Sequence, residues 1–242
     1  MKLLKSLLFI LLFVNPNTIF SQNDVVIGKI DSLHSEILNE NRKLMVYTPK
    51  SVSNSQKFPV IYLLDGDRHF NYVVGMVEHL QASTIIPPMM IVAIPNTNRN
   101  RDLTPTKAKP NPPMVPEGLS KISGGGKEFL SFMEKELFPH IEKNYPTSSY
   151  RMLIGHSFGG LLAMDVLHSK PELFTSYISI DPSMWWDDKK LLTDYKNTDL
   201  KNDKYQNKSL YLGIANTLEA GMDTITMKKA TGPAAKHINS VF

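Results

Sequence analysis

Apolar positions fall in short unbroken runs through the middle of the chain, and the stretches between them carry a helical period. Phe58-Pro59-Val60-Ile61-Tyr62-Leu63-Leu64 is continuous and stops at Asp65-Gly66. A run without polar alternation is the pattern of a strand buried on both faces. Residues 89–94 repeat the pattern and stop at Pro95-Asn96. Shorter runs predict strands over 151–154, 174–180 and 210–215. Residues 25–38 and 42–47 predict two more, joined by the turn-rich Asn39-Glu40-Asn41. Phe129, Phe132, Met133, Leu137 and Ile141 mark one face of a helix over 124–144, with Glu and Lys between them. Helices are also predicted over 70–81, 158–167 and 222–239. Buried strands alternating with amphipathic helices imply an α/β class: a mostly parallel central sheet with helices on both faces. Pro105, Pro110, Pro112, Pro113 and Pro116 interrupt the pattern over 104–118. That stretch is expected to be an exposed loop.

The amino terminus stands apart from this alternation. Lys2 and Lys5 precede an apolar run over 7–14, the breaker Asn15-Pro16-Asn17, and then Ser21. A basic start, a short apolar centre and a small residue predict a secretory signal peptide over 1–21. The run is shorter than the roughly 20 residues that span a bilayer. An uncleaved anchor or a buried amino-terminal helix are the alternatives. Cleavage leaves one domain over 22–242, no stable membrane insertion, and a periplasmic or extracellular bacterial location. It also removes Lys2 and Lys5, so the formal charge of +4 belongs in part to the export signal. The remaining excess is scattered and predicts no nucleic-acid partner. Hydrophobic residues at 42% and charged residues at 21% match soluble globular chains, which argues against disorder. With no cysteine, disulfides, thiolate metal sites, a cysteine nucleophile and a lipoprotein anchor are excluded.

Gly155-His156-Ser157-Phe158-Gly159 is the candidate chemistry. It is a Gly-x-Ser-x-Gly pentapeptide between a predicted strand and a predicted helix. A serine at so sharp a turn is strained, and side chains two positions either side would collide with the neighbouring strand and helix. The turn lifts the hydroxyl above the sheet and aims the Phe158 amide at the same point, where an oxyanion can be held. The alternative is a plain glycine-rich turn. A second amide is expected from the loop after an earlier central strand, at Gly66 or Asp67. An ordinary tight turn explains Asp65-Gly66 equally well until Ser157 is set beside it.

Five segments then recur in one order: Leu64-Asp65-Gly66-Asp67, Ala93-Ile94-Pro95-Asn96-Thr97, Arg101-Asp102-Leu103-Thr104-Pro105, Gly155-His156-Ser157-Phe158-Gly159-Gly160 and Ser183-Met184-Trp185-Trp186. Together they resemble the esterase family of the α/β-hydrolase superfamily that includes enterochelin (siderophore) esterases, feruloyl esterases and esterase D. The likeness runs from about Val25 to the end. It implies an eight-strand α/β-hydrolase sheet, serine-dependent ester hydrolysis and no metal or organic cofactor. The ester itself and the oligomeric state stay open.

In this fold the nucleophile is followed by the acid and then the histidine. Glu219, just past the strand over 210–215, is the first choice of acid. Asp223 is the alternative, although it equally suits the first turn of the next helix. Asp181, at the end of the previous strand, is a third candidate. Of seven histidines only His237 follows these positions, and it reads as a helix residue. The resemblance places the histidine in a loop after one more strand, and no such strand is predicted before Phe242. The domain is therefore expected to be incomplete at its carboxyl end, lacking the last strand and helix and with them the catalytic histidine, so that His237 lies out of reach of Ser157 and turnover is low. His156, inside the elbow, is expected to pack or to touch substrate. Arg99 and Arg101 can hold an anionic or polyhydroxylated substrate, or lie solvated, Arg101 pairing with Asp102. Trp185 and Trp186 can wall an aromatic acyl group such as a catecholate or ferulate, or belong to the core. Two functions follow: a serine carboxylic-ester hydrolase working through an acyl-enzyme on a siderophore-like or feruloyl-type ester, or an incomplete esterase-like chain that binds such a ligand without turnover.

Overall fold

The computed structural model describes residues 24–50, 53, 55–215 and 225. The expected signal peptide lies outside them, as do Glu219, Asp223, His237 and, apart from Ile225, the helix expected over 222–239. Seven strands, β1 (Lys29–Ser35), β2 (Glu40–Tyr47), β3 (Phe58–Leu64), β4 (Met90–Ile94), β5 (Thr147–His156), β6 (Ser176–Ile180) and β7 (Ser209–Gly213), form one sheet in the order β1-β2-β4-β3-β5-β6-β7. From β4 to β7 all pairings are parallel. β2 runs antiparallel to both β1 and β4. The eighth strand implied by the resemblance is not among the described residues.

The continuous apolar runs are explained by helices on both faces. Ile61 and Leu63 of β3 and Ile91 and Ala93 of β4 meet α1 (Gly66–Ala82) through Phe70, Val73, Val74 and Val77. The alternate residues, Tyr62, Leu64, Met90 and Val92, face a second layer. That layer contains α4 (Gly126–Phe132), α5 (Phe138–Asn144) and α6 (Phe158–Ser169). Successive strand side chains point to opposite faces, so burial on both sides leaves no polar position in the run. The single helix expected over 124–144 is present but carries a π turn at Met133–Leu137, between α4 and α5. Pro139 has no N–H to return to the Lys135 carbonyl, and the wider turn just before it fits that loss.

Residues 104–118 depart from the expectation of an exposed loop. Thr104, Ala108 and Val115 are buried, and a short helix, α3 (Glu117–Ile122), begins inside the stretch. Side-chain hydroxyls supply what the prolines cannot. Thr104 Oγ1 accepts the Gly124 N–H at 2.8 Å, and Ser120 Oγ donates to the Ala108 carbonyl at 2.7 Å. A chain whose polar groups are satisfied in this way can be buried without regular structure. Two further helices, α2 (Arg99–Asp102) and α7 (Trp186–Lys196), carry no strong apolar period and were not expected.

α2 is fixed to β2 by buried charge. Arg42 is 1% exposed and donates to Asp102 at 2.8 Å, to Glu40 at 2.7 Å and to the Pro95 carbonyl at 3.3 Å. Its guanidinium carbon lies 5.3 and 5.5 Å from the ring centres of Phe129 and Phe132. No helix among the described residues is long and apolar enough to cross a membrane.

One carboxyl in the second layer gives a pH test. Burial pushes Asp165 on α6 up to about 6; Asp194 adds to the rise and Lys190 opposes it. The folded chain thus binds this proton more tightly than the unfolded chain. Its stabilising contribution is full below the unfolded value of 3.8 and is lost as pH rises through about 6. Asp165→Asn is expected to stabilise by about 3 kcal/mol at pH 8, with the gain shrinking by more than half near pH 4.5. Urea unfolding at both pH values measures it; an equal gain at both would refute the assignment.

Candidate active site

Ser157 is the one residue between β5 and α6, and its backbone is strained. Its φ of 59° and ψ of −116° lie where a side chain is rarely tolerated. Its N–H donates to the Ile180 carbonyl at 3.0 Å, and its carbonyl accepts the Leu161 N–H at 2.8 Å and the Ser183 N–H at 3.2 Å. The glycines of the pentapeptide have distinct steric causes. A Cβ on Gly155 would lie 2.2 Å from the Gly159 carbonyl oxygen, and one on Gly159 would lie 3.3 Å from Asp65 Oδ2. Neither Ala nor any larger residue fits at Gly155.

The β3–α1 turn sits beside this elbow because β3 and β5 are neighbouring parallel strands. Asp65 turns the chain in a left-handed conformation (φ 53°, ψ 43°) and Gly66 opens α1. A Cβ on Gly66 would stand 2.7 Å from the Ile94 nitrogen. Gly66, Asp67 and Phe158 thus begin two helices at the same end of the sheet, where unpaired first-turn amides can hold an anion.

Arg99 ties the two turns together. The Asp65 side chain is 1% exposed and accepts Arg99 Nε at 2.6 Å, Arg99 Nη2 at 3.0 Å and Asn96 Nδ2 at 2.7 Å. Asn96 Nδ2 also reaches Asp67 at 3.1 Å. Arg99 Nη2 donates to the carbonyl of His156 at 3.4 Å, and its guanidinium carbon lies 5.4 Å from the centre of the Phe158 ring. Arg101 faces the other way and is held by Asp102 at 2.7 Å and Glu40 at 2.8 Å. These two carboxylates make its proton harder to lose than usual.

The two tryptophans are placed differently. Trp186 is buried and donates from Nε1 to the Thr106 carbonyl at 3.0 Å. Trp185 packs 6.0 Å from the Phe158 ring and lines a cavity of about 420 Å³ with Ala108, Asn111, Met114 and Val115. Asp187, Asp188 and Lys189, with φ of 49°, 52° and 63°, line that cavity too, as does Lys109. His156 is exposed, and its ring stands 6.2 Å from that of His69. Sequence reasoning gave His69 no role. Burial pushes the His69 imidazole down, so it is more readily neutral than a free histidine, and its Nδ1 is 2.6 Å from the Tyr72 hydroxyl. Asp181 is the one acid candidate among the described residues. It lies at the end of β6, where its Oδ1 accepts the Ala215 N–H at 3.2 Å. No group of three or more His, Asp and Glu side chains among the described residues is arranged to hold a metal.

The strand order, the strained strand–serine–helix turn and the paired helix starts define a protein of the α/β-hydrolase fold. Residues 35–234 match the family model described as "Putative esterase", and the chain belongs to that family. It is 35% identical over 162 residues to the ferri-bacillibactin esterase BesA of Bacillus subtilis, a match covering 61% of this chain and 56% of that protein. It is 32% identical over 148 residues to a siderophore enterobactin esterase of Emericella nidulans, covering 55% and 49%. The chain therefore aligns with about half the length of these relatives. Among solved structures, an IroE-like serine hydrolase from Shewanella oneidensis superposes with a TM-score of 0.75 at 34% identity, covering 88% of this chain and 67% of that one. The siderophore hydrolase EstA of Aspergillus nidulans shares the fold at 22% identity, with a TM-score of 0.71 and coverage of 90% and 80%.

The clamp has a measurable energy. Removing one partner of a buried ion pair leaves an uncompensated charge, which costs about 3 kcal/mol. Arg99→Ala is expected to destabilise by that amount in urea unfolding. Asp65→Asn combined with Arg99→Met should recover part of the loss. A loss under about 0.5 kcal/mol, as exposed pairs give, would show that the clamp is solvated.

Proposed function

We propose that this chain is an exported serine carboxylic-ester hydrolase acting on siderophore-type esters. The observation that carries the reading is the strained Ser157 between two helix amino termini. Ser157 Oγ attacks the ester carbonyl carbon and its proton passes to a general base. The carbonyl oxygen takes the displaced electron pair and is held by the amides of Phe158 and of Gly66 or Asp67. Collapse breaks the carbon–oxygen bond to the leaving group, which takes the proton back from the base and departs as the alcohol; water, deprotonated by the same base, then attacks the acyl-enzyme and frees the acid and Ser157. The base is a histidine in this reading; His237 is the candidate that follows the acid positions in this sequence, set against the expectation that it lies out of reach of Ser157. Glu219 is the proposed acid, with Asp223 and Asp181 as alternatives. The Trp185 cavity suits an aromatic acyl unit, and the names of the relatives, siderophore esterases of bacterial and fungal origin, support the substrate class. Export is proposed from the basic, apolar and small-residue pattern of residues 1–21.

Ser157→Ala is expected to lower hydrolysis of catecholate and feruloyl esters by about a thousandfold or more while leaving the fold intact. Circular dichroism and product chromatography on the same samples decide it. Undiminished turnover in the folded variant would refute the nucleophile. Ligand binding by wild type without any turnover would favour the non-catalytic reading.

The acid is tested separately. An imidazole without its carboxylate loses its tautomer and its stabilised cation, at a cost near 10⁴ in rate. Glu219→Gln should show a loss on the order of 10³–10⁴ in the acylation rate. If Asp223→Asn or Asp181→Asn produces that loss and Glu219→Gln does not, the acid lies at the other position.

A further inference from the structure

Ser183 has no part in the mechanism above, yet it touches Ser157 twice. Its N–H donates to the Ser157 carbonyl at 3.2 Å, and its Oγ stands 3.3 Å from Ser157 Oγ. The side chain is held there by its surroundings. Ser183 is 3% exposed and follows Asp181, whose φ is 46°, and Pro182 in the turn after β6. Its carbonyl accepts the Trp186 N–H at 3.0 Å, and the Met184 N–H closes on the Pro182 carbonyl at 2.7 Å. A hydroxyl so buried and fixed needs a partner, and the nearby nucleophile oxygen is one.

We infer that the Ser183 hydroxyl donates a hydrogen bond to Ser157 Oγ that strengthens as that oxygen takes on negative charge during attack. The inference rests on Ser157 being the nucleophile. Direction follows from the chemistry. Were Ser183 the acceptor, the Ser157 proton would be engaged by Ser183 and would not be shared with the base that must remove it. With Ser183 as donor, that proton is free to leave as the Oγ–carbon bond forms, and Ser183 keeps its own proton throughout. The distance fits a bond that is weak before reaction. Neutral hydroxyl pairs cluster near about 2.7–2.8 Å, whereas a hydroxyl on an anionic oxygen closes to about 2.5–2.7 Å. An interaction that tightens only in the transition state raises kcat and leaves substrate binding alone.

The test uses the full chain, steady-state hydrolysis of 4-nitrophenyl butyrate, and labelling of Ser157 by an alkyl fluorophosphonate followed by intact mass. Ser183→Ala is expected to lower kcat and the labelling rate about tenfold, the size of one such bond, with KM within about twofold. Its melting temperature should stay close to that of wild type. Ser183→Cys keeps the shape with a weaker donor and should fall between the two. Rates within about twofold of wild type in the folded Ser183→Ala variant would overturn the inference alone. So would a loss in both variants that follows a fall in melting temperature, because it would assign Ser183 to packing. Absence of wild-type labelling, or labelling that persists in Ser157→Ala, would overturn the nucleophile and this inference with it.

Discussion

A buried carboxylate organises this end of the sheet. Asp65 stands at the end of a central strand, 1% exposed, where an unpaired charge would cost several kcal/mol. It therefore needs a cation close by, and the Arg99 fork supplies one with two hydrogen bonds. The consequences reach beyond the pair. Arg99 belongs to the segment after β4, so that segment must cross the strand ends to reach Asp65. Its second contact, on the His156 carbonyl, joins the turn before α1 to the elbow before α6. Gly159 carries no side chain partly because the Asp65 carboxylate fills the space beside it. The β3–β5 register sets the two helix starts side by side, and the Asp65–Arg99 pair and the missing Cβ at Gly159 let them pack closely.

The strain at Ser157 is held in place from the neighbouring strand. A residue with that φ and ψ costs about 1–3 kcal/mol and persists only when its surroundings over-determine it. Here the end of β6 does so: the Ile180 carbonyl and the Ser183 amide take the backbone groups on both sides of the serine. β5 and β6 are parallel and in register from Met152↔Ser176 to His156↔Ile180, so both strands end at one level. An antiparallel neighbour would bring a strand start to this place in its stead. Parallel order is therefore what lets the end of one strand brace the turn that follows the next.

Much of this was legible in the chain, for reasons that separate what was read from what was missed. β3 and β4 declared themselves because burial on two faces removes every polar position, and β3 matches its apolar run from Phe58 to Leu64. The elbow was legible because steric exclusion permits so few residues at Gly155. The charged interior was not. Arg42 and Asp102 are almost fully buried, but they lie in segments whose composition reads as an ordinary strand and an ordinary polar loop. Pairing partners 60 residues apart leave no local period to detect. Asp65 read as a turn residue for the same reason: its conformation is local, its carboxylate's partner is not. The loop over 104–118 misled because prolines report the absence of regular structure and say nothing about burial. α7 was missed because it carries no strong apolar period, and its start is broken by a kink of three left-handed residues, Asp187 to Lys189.

Arg99 and Arg101 show how a four-residue helix comes to matter. They are two positions apart on α2 and project to opposite duties. Arg101 joins Arg42, Glu40 and Asp102, which fastens α2 to the antiparallel edge of the sheet. Arg99 fastens the same helix to the central turn and the elbow. Each guanidinium bridges separate acceptors at once, which a lysine ammonium on a flexible stem does with far less directional control. β2 and the elbow are thus joined through Arg42, Asp102, α2, Arg99 and the His156 carbonyl.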